Sequence, residues 1–191
     1  MGMTAGIDEV GRGCLSGPVV SSAVILPPGF SHNLITDSKK LSKKKREIAY
    51  DLILDSALYV GVGSSQPEEI DRINILQATF KSMFRAIDDL GILPEMLMVD
   101  GDKFPGYKNI PFECIIKGDS KVPSISAASI IAKVTRDRMM EDLSSSYPEY
   151  LWERNSGYGT KDHMNAIEKH GLTSQHRRSF CSRFIKGNSI F

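Results

Sequence analysis

Residues 5–26 read AGIDEVGRGCLSGPVVSSAVIL, and the order of events along this stretch decides the fold. Ala5–Asp8 has the small, apolar start and acidic finish of a strand that runs out of the core. Pro18–Leu26 is rich in β-branched residues and stops at Pro27–Pro28–Gly29, a turn; it is a second strand. Between them lies the glycine-rich stretch Gly11–Gly17. A glycine-rich loop behind a strand invites a dinucleotide-binding reading, but that fingerprint requires the loop to open a helix. Here the chain returns as a strand, so the two strands pair as an antiparallel hairpin. Glycines on both sides of Arg12 let backbone come close to a ligand while the guanidinium pairs with phosphate. A tight hairpin turn would account for Gly11 and Gly13 as well, though not for Arg12.

Outward from the hairpin, strands alternate with helices. A helix opens near Ser42, with Ile48, Ala49, Leu52 and Ile53 as its apolar face. Ala57–Val62 reads as a third strand. Ser65 with Glu68 forms a capping-box pattern, and Pro67 suits a helix's first turn. The run from Ile73 to Leu90 places Ile73, Leu76, Phe80, Phe84 and Ile87 at helical spacing, and Gly91 stops it. Met96–Val99 is a short buried strand ending in Asp100; Phe112–Ile116 is another, shortly before Asp119. A long helix follows from Pro123 to Leu143, its first half (SISAASIIA) small enough to pack closely on a sheet, and then a short one, Thr160–His170. The pattern gives an α/β layer architecture with a mixed sheet. The length of 191 residues suits one domain, with residues 145–191 as a helical C-terminal extension packed on it.

Hydrophobic residues at 41% and charged residues at 25% are ordinary for a globular chain. The formal net charge of +1 carries no hint of a nucleic-acid partner, but the charge is unevenly placed. Residues 39–46 read KKLSKKKR, and Arg177, Arg178, Arg183 and Lys186 crowd the C-terminal end. Cys14, Cys114 and Cys181 are odd in number, far apart and without a C-x-x-C pair. That argues against a disulfide framework or a structural zinc and fits a reducing compartment. Asp8 and Glu9 interrupt any signal-peptide core, and no apolar run approaches the ~18 residues of a membrane helix. The expectation is a soluble cytoplasmic monomer with no protein partner evident in the sequence.

Four acids stand out by position. Asp8 and Glu9 end the first strand, Asp100 ends a later one, and Asp119 follows another. Ligand sites in α/β sheets gather at strand ends. Carboxylates that converge there repel one another, and a hard divalent cation such as Mg2+ or Mn2+ relieves the repulsion. Two such ions about 3.5–4 Å apart can stabilise the attacking and leaving oxygens of a phosphoryl displacement. The plainer alternative is that each acid caps a helix or faces water.

Six segments in order close the case: GIDEVGRGCLSGPVV (6–20), DSKKLS (37–42), VDG (99–101), KGDSKVPSISAASIIAKVTRD (117–137), GYGTKDH (157–163) and HRRSF (176–180). Together they closely resemble ribonuclease HII, the type 2 ribonuclease H family, over about residues 5–184. The resemblance implies a ribonuclease H-like fold, a mixed five-stranded sheet flanked by helices, and an endonuclease acting on RNA paired with DNA, including single ribonucleotides embedded in duplex DNA. It implies Asp8, Glu9, Asp100 and Asp119 as metal-binding catalytic carboxylates, with two ions during catalysis. It assigns Gly11, Arg12 and Gly13 to the loop that inspects the ribose 2′-hydroxyl, and Tyr158 to stacking on the neighbouring deoxyribose. Lys39 and Lys40 match a loop near the substrate backbone. Cys14 stands where the family commonly has proline and Ser16 where it has alanine; both are expected to alter only hairpin packing. Val10 also occurs in the sister type, ribonuclease HIII, whose extra N-terminal domain this chain is not expected to carry. His163 and His176 are read as packed or surface residues, Asp37 as a cap, and Asp102 as a bystander. A ribonuclease H-like recombinase or junction resolvase shares the acid logic; Gly11–Gly13 and Tyr158 argue against it. A silent hybrid-binding module would not need all four acids.

Overall fold

The structure, a computed structural model, describes residues 3–35, 38 and 41–185. Five strands form one mixed sheet in the order β3-β2-β1-β4-β5: β1 (Thr4–Val10), β2 (Val19–Ile25), β3 (Tyr59–Ser65), β4 (Met96–Asp100) and β5 (Phe112–Ile115). The hairpin expected from residues 5–26 is present, with Ile7 opposite Ala23 and Val10 opposite Val20. β3 extends it antiparallel on one side. On the other side β4 and β5 run parallel to β1 and to each other, because each is reached by a connection long enough to cross back.

Helix α3 (Ile75–Asp89) covers one face, where Phe80, Met83, Ala86 and Ile87 pack on Ile7, Ala23, Leu97 and Val99. Helices α1 (Lys43–Ser56) and α4 (Pro123–Ser146) cover the other, with Ala49, Ile53, Ala127, Ile130 and Ile131 against Val24. Each fully buried Ile or Leu contributes roughly 1.5–3 kcal/mol, so Ile7→Ala, which also leaves a cavity at the sheet centre, costs about 2–5 kcal/mol. Ala5 and Ile7 of β1 therefore face α3, and Gly6 and Asp8 face α4.

Three local expectations change. The third strand runs to Ser65 rather than stopping at Val62, so Ser65 is no helix cap. Its hydroxyl donates to the Ala78 carbonyl at 2.9 Å, and helix α2 (Pro67–Ile73) starts from Gln66 without a side-chain cap. The apolar spacing across Ile73 to Leu90 spans a break: Asn74, at φ 67°, ends α2 and caps α3 by accepting from the Gln77 amide. Periodicity did not register the break because the apolar face resumes in phase.

After α4, a 3-10 turn (Pro148–Tyr150) and helices α5 (Trp152–Asn155), α6 (Lys161–His170) and α7 (Ser182–Ile185) gather around Trp152, Tyr150, Ile167 and Cys181. A β-bridge from Ser16 to His176 and backbone bonds such as Arg177 N–H to Leu15 O at 2.8 Å tie this layer to the glycine-rich loop. All three cysteines are free thiols. Among the described residues no helix is long and apolar enough to cross a membrane.

Candidate active site

Register decides which acids meet. Ile7 pairs with Val99 across the parallel β1–β4 ladder, so Asp8 and Asp100 are the next residues along adjacent strands and share the α4 face. Asp8 is buried, and its carboxylate hydrogen-bonds the Ser129 hydroxyl of α4. Burial first, then the charges of Glu9 and Asp100, hold Asp8 well above the usual carboxylate range. Glu9 is raised too, mainly by burial and further by Asp100, while Arg12, whose Nη1 lies 3.2 Å from Glu9 Oε1, pulls it back. Asp119 sits in a 3-10 turn (Gly118–Ser120) just after β5. That turn is fastened to the site: the Gly118 amide donates to Asp100 Oδ1 at 2.7 Å, and the Ser126 hydroxyl of α4 donates to the Asp119 carbonyl at 2.5 Å.

Asp8, Glu9 and Asp100 thus stand in one another's fields at one end of the sheet, with Asp119 on the adjoining turn. Among the described residues, no three carboxylate, imidazole or thiolate groups already converge as a formed ligand set. The donor chemistry nonetheless fits a hard divalent cation: all four groups offer oxygen, and the mutual repulsion that raises Asp8 is what such a cation relieves.

The loop that follows β1 continues the site. Gly11 accepts from the Cys14 amide at 3.4 Å, making Arg12 and Gly13 the centre of a β-turn. Both are exposed, and their amides donate to no acceptor among the described residues. The two glycines serve different ends. A Cβ at Gly13 would meet nothing within 4 Å, as expected of an open approach surface. Gly11 is at φ +89°, and a Cβ there would lie 2.2 Å from Arg136 Nε, so it is glycine because of what lies beneath it.

Tyr158 is brought to the same loop. The Leu15 amide donates to the Gly157 carbonyl at 2.8 Å, and the Tyr158 ring stays 41% exposed with Arg136 Cζ 6.0 Å from its centroid. Burial, then the Cys14 thiol beside it, raises its phenol. The Ser16 hydroxyl is buried without a partner among the described residues.

His163 and His176 are packed residues. Their Nε2 atoms lie 3.2 Å apart, Trp152 Nε1 donates to His163 Nε2, and His163 Nδ1 meets the Tyr158 carbonyl at 2.9 Å. Arg177, counted with the basic residues that crowd the C-terminal end, is fully buried. Arg136, equally buried, escaped the sequence reading. A signal existed, because it falls on the stripe Ile125, Ser129, Ala132, Arg136, Met140 that α4 buries. Lys39, Lys40, Asp37 and Lys186 lie outside the described residues.

Comparison with known proteins agrees with this geometry. A family model described as Ribonuclease HII matches residues 5–183. The ribonuclease HII of Bacillus mycoides (strain KBAB4) is 56% identical over 176 residues, which are 92% of this chain and 68% of that protein. The crystal structure of ribonuclease H2 from Pyrococcus horikoshii OT3 is similar at a TM-score of 0.78 and 30% identity, over 96% of this chain and 99% of that one. Bst-RNase HIII in complex with Mn2+ shares the fold at a TM-score of 0.70 and 17% identity, over 98% of this chain and 70% of the other.

Proposed function

The chain belongs to the ribonuclease HII family of type 2 ribonucleases H, endonucleases that cut RNA paired with DNA, and from that premise we propose how its own residues divide the work. Asp8, Glu9, Asp100 and Asp119 are the catalytic carboxylates and hold divalent cations, Mg2+ or Mn2+, two during turnover. When bound, such ions supply an activated water and charge neutralisation at the leaving 3′-oxygen. The observation that carries this is the placing of Asp8 and Asp100 side by side on one face, with Asp8 raised by burial and by its acidic neighbours.

The remaining roles belong to the loop edge. The unpaired amides of Arg12 and Gly13 face the incoming strand, where a sugar hydroxyl or phosphate oxygen can accept from them. Gly11 lets the loop lie flat on Arg136. Tyr158, half exposed on the neighbouring loop, offers a ring face to the sugar of the next nucleotide. Lys39 and Lys40 contribute phosphate contacts that position the duplex. Residues 1–191 act as a single catalytic domain, with residues 145–191 as its helical extension, working as a cytoplasmic monomer on RNA/DNA hybrids and on DNA duplexes containing ribonucleotides.

A labelled DNA duplex with one embedded ribonucleotide, incubated with and without magnesium, tests the reading. Incision on the 5′ side of the ribonucleotide, leaving a 3′-hydroxyl and a 5′-phosphate, is expected only with the cation. Equal cleavage of an all-DNA duplex would move the chain to the resolvase reading.

A further inference from the structure

Arg136 and Arg177 are both fully buried, and among the described residues neither pairs with a carboxylate. Buried guanidinium groups ordinarily require an acid; these two bind backbone carbonyls instead. Arg136 donates from Nε to Pro18 O at 2.8 Å, from Nη2 to Ser16 O at 3.1 Å and from Nη1 to Ser156 O at 2.8 Å. Arg177 donates from Nε and Nη2 to Gly17 O at 3.0 and 2.9 Å, and from Nη1 to Arg12 O at 2.8 Å.

In a trans peptide the C=O and the following N–H point in opposite directions. Each carbonyl drawn inward therefore turns an amide outward, and the fate of those amides separates the five carbonyls. The Gly17 amide, behind Ser16 O, donates to Gln175 O; the Gly157 amide, behind Ser156 O, donates to Asn155 Oδ1. Pro18, behind Gly17 O, has no N–H, and Val19, behind Pro18 O, enters the β2 ladder. Only the Gly13 amide, behind Arg12 O, is left exposed and without an acceptor among the described residues.

That peptide is also the one a β-turn does not fix by itself. Type I and type II turns differ by a flip of the central peptide, here Arg12–Gly13, and glycine in the third position admits both. Gly13 is not at positive φ, so the type II arrangement is not the one adopted. We infer that Arg177 is a positioning residue for substrate recognition: it pins the Arg12 carbonyl, selects one turn and aims the Gly13 N–H at the sugar hydroxyl of the bound ribonucleotide. A guanidinium on the carbonyl also polarises the N–H of the same peptide and strengthens it as a donor. The inference rests on the proposed contact between this loop and the substrate.

The test uses two duplexes differing only in one sugar, a ribonucleotide or its 2′-deoxy-2′-fluoro counterpart. Affinities are measured in metal-free buffer, where no cutting intervenes, for wild type, Arg177→Lys and Arg177→Gln, each at a temperature where circular dichroism shows it folded. Wild type should prefer the hydroxyl by about tenfold, and both variants should lose most of that preference, to within about twofold. A residue that only supported the fold would weaken both affinities together and leave the ratio intact; that outcome overturns the inference. A wild-type ratio near one would instead sink the loop-contact reading beneath it. If neither variant folds, the wild-type Arg177 Nη1 proton resonance takes over. It must move further with the ribonucleotide duplex than with the fluoro duplex, and identical shifts overturn the inference.

Discussion

Replacing Gly11 and Gly13 separately by alanine should split one motif into a structural half and a functional half. At Gly11 the backbone sits at φ +89°, which costs a residue with a Cβ about 1–2 kcal/mol. The new methyl would lie 2.2 Å from Arg136 Nε and 2.7 Å from its Cδ, so the guanidinium must shift. Overpacking of this kind costs about 1–3 kcal/mol, and the Arg136 bonds to Pro18, Ser16 and Ser156 are strained with it. A loss of about 0.4–1 kcal/mol in unfolded-chain entropy offsets part of this. A net destabilisation of about 3 kcal/mol follows, which lowers the melting temperature of a domain this size by roughly 6–12 °C. Gly13→Ala meets no atom within 4 Å and needs no unusual φ, so stability should change by less than about 0.5 kcal/mol. Its methyl projects into the proposed approach path of the strand, and turnover on a single-ribonucleotide duplex should fall about tenfold or more. Thermal melting and single-turnover cleavage on the same preparations decide the matter. Equal melting losses for the two variants would refute the argument that Arg136 imposes Gly11, and wild-type turnover by Gly13→Ala would remove Gly13 from the substrate edge.

Asp8→Asn and Asp119→Asn should each abolish most cleavage while leaving hybrid binding in metal-free buffer largely intact; wild-type turnover by either removes that residue from the site. Because burial and its acidic neighbours raise Asp8, its ionised form destabilises the metal-free fold above the unfolded pKa, and Asp8→Asn should melt higher than wild type at neutral pH. Tyr158→Ala should depress cleavage at a lone ribonucleotide more than cleavage of a continuous RNA strand, and equal losses would leave Tyr158 a general contact. His176 is lowered from 6.5 to about 4, first by burial and then by His163. The unfolded chain then takes up a proton near 6.5 that the fold refuses until about 4. Stability is therefore full above pH 6.5 and falls by up to about 3 kcal/mol as the pH drops to about 4. Melting curves across that window should show the slope in wild type and a shallower one in His176→Gln; parallel slopes would assign the acid sensitivity to other groups.

Sequence alone carried the features whose cause is local. Residues 5–26 announced a hairpin because β-branched runs, a glycine-rich stretch and a Pro-Pro-Gly turn are each readable within a few residues. The positions of Asp100 at a strand end and Asp119 just after one were legible for the same reason, whereas the first strand runs past Asp8 and Glu9 to Val10. Even there, local signals misled where they coincided with others: Ser65 had the spacing of a cap but belonged to a strand, and Asn74 broke a helix whose apolar rhythm ran on unchanged. Tertiary structure alone decided what depends on residues far apart in the chain. The parallel pairing of β1 with β4 sets Asp8 beside Asp100, and burial then raises the Asp8 carboxyl. The split between Gly11 and Gly13 exists because Arg136, more than a hundred residues away, fills the space under one of them and not the other. Arg177 shows the limit most plainly. Its charge is written in the sequence, but whether a charge faces water or backbone carbonyls is fixed only when the C-terminal layer closes over the loop. A buried cation must find partners within the fold, and it found them in the loop that follows the first two acids.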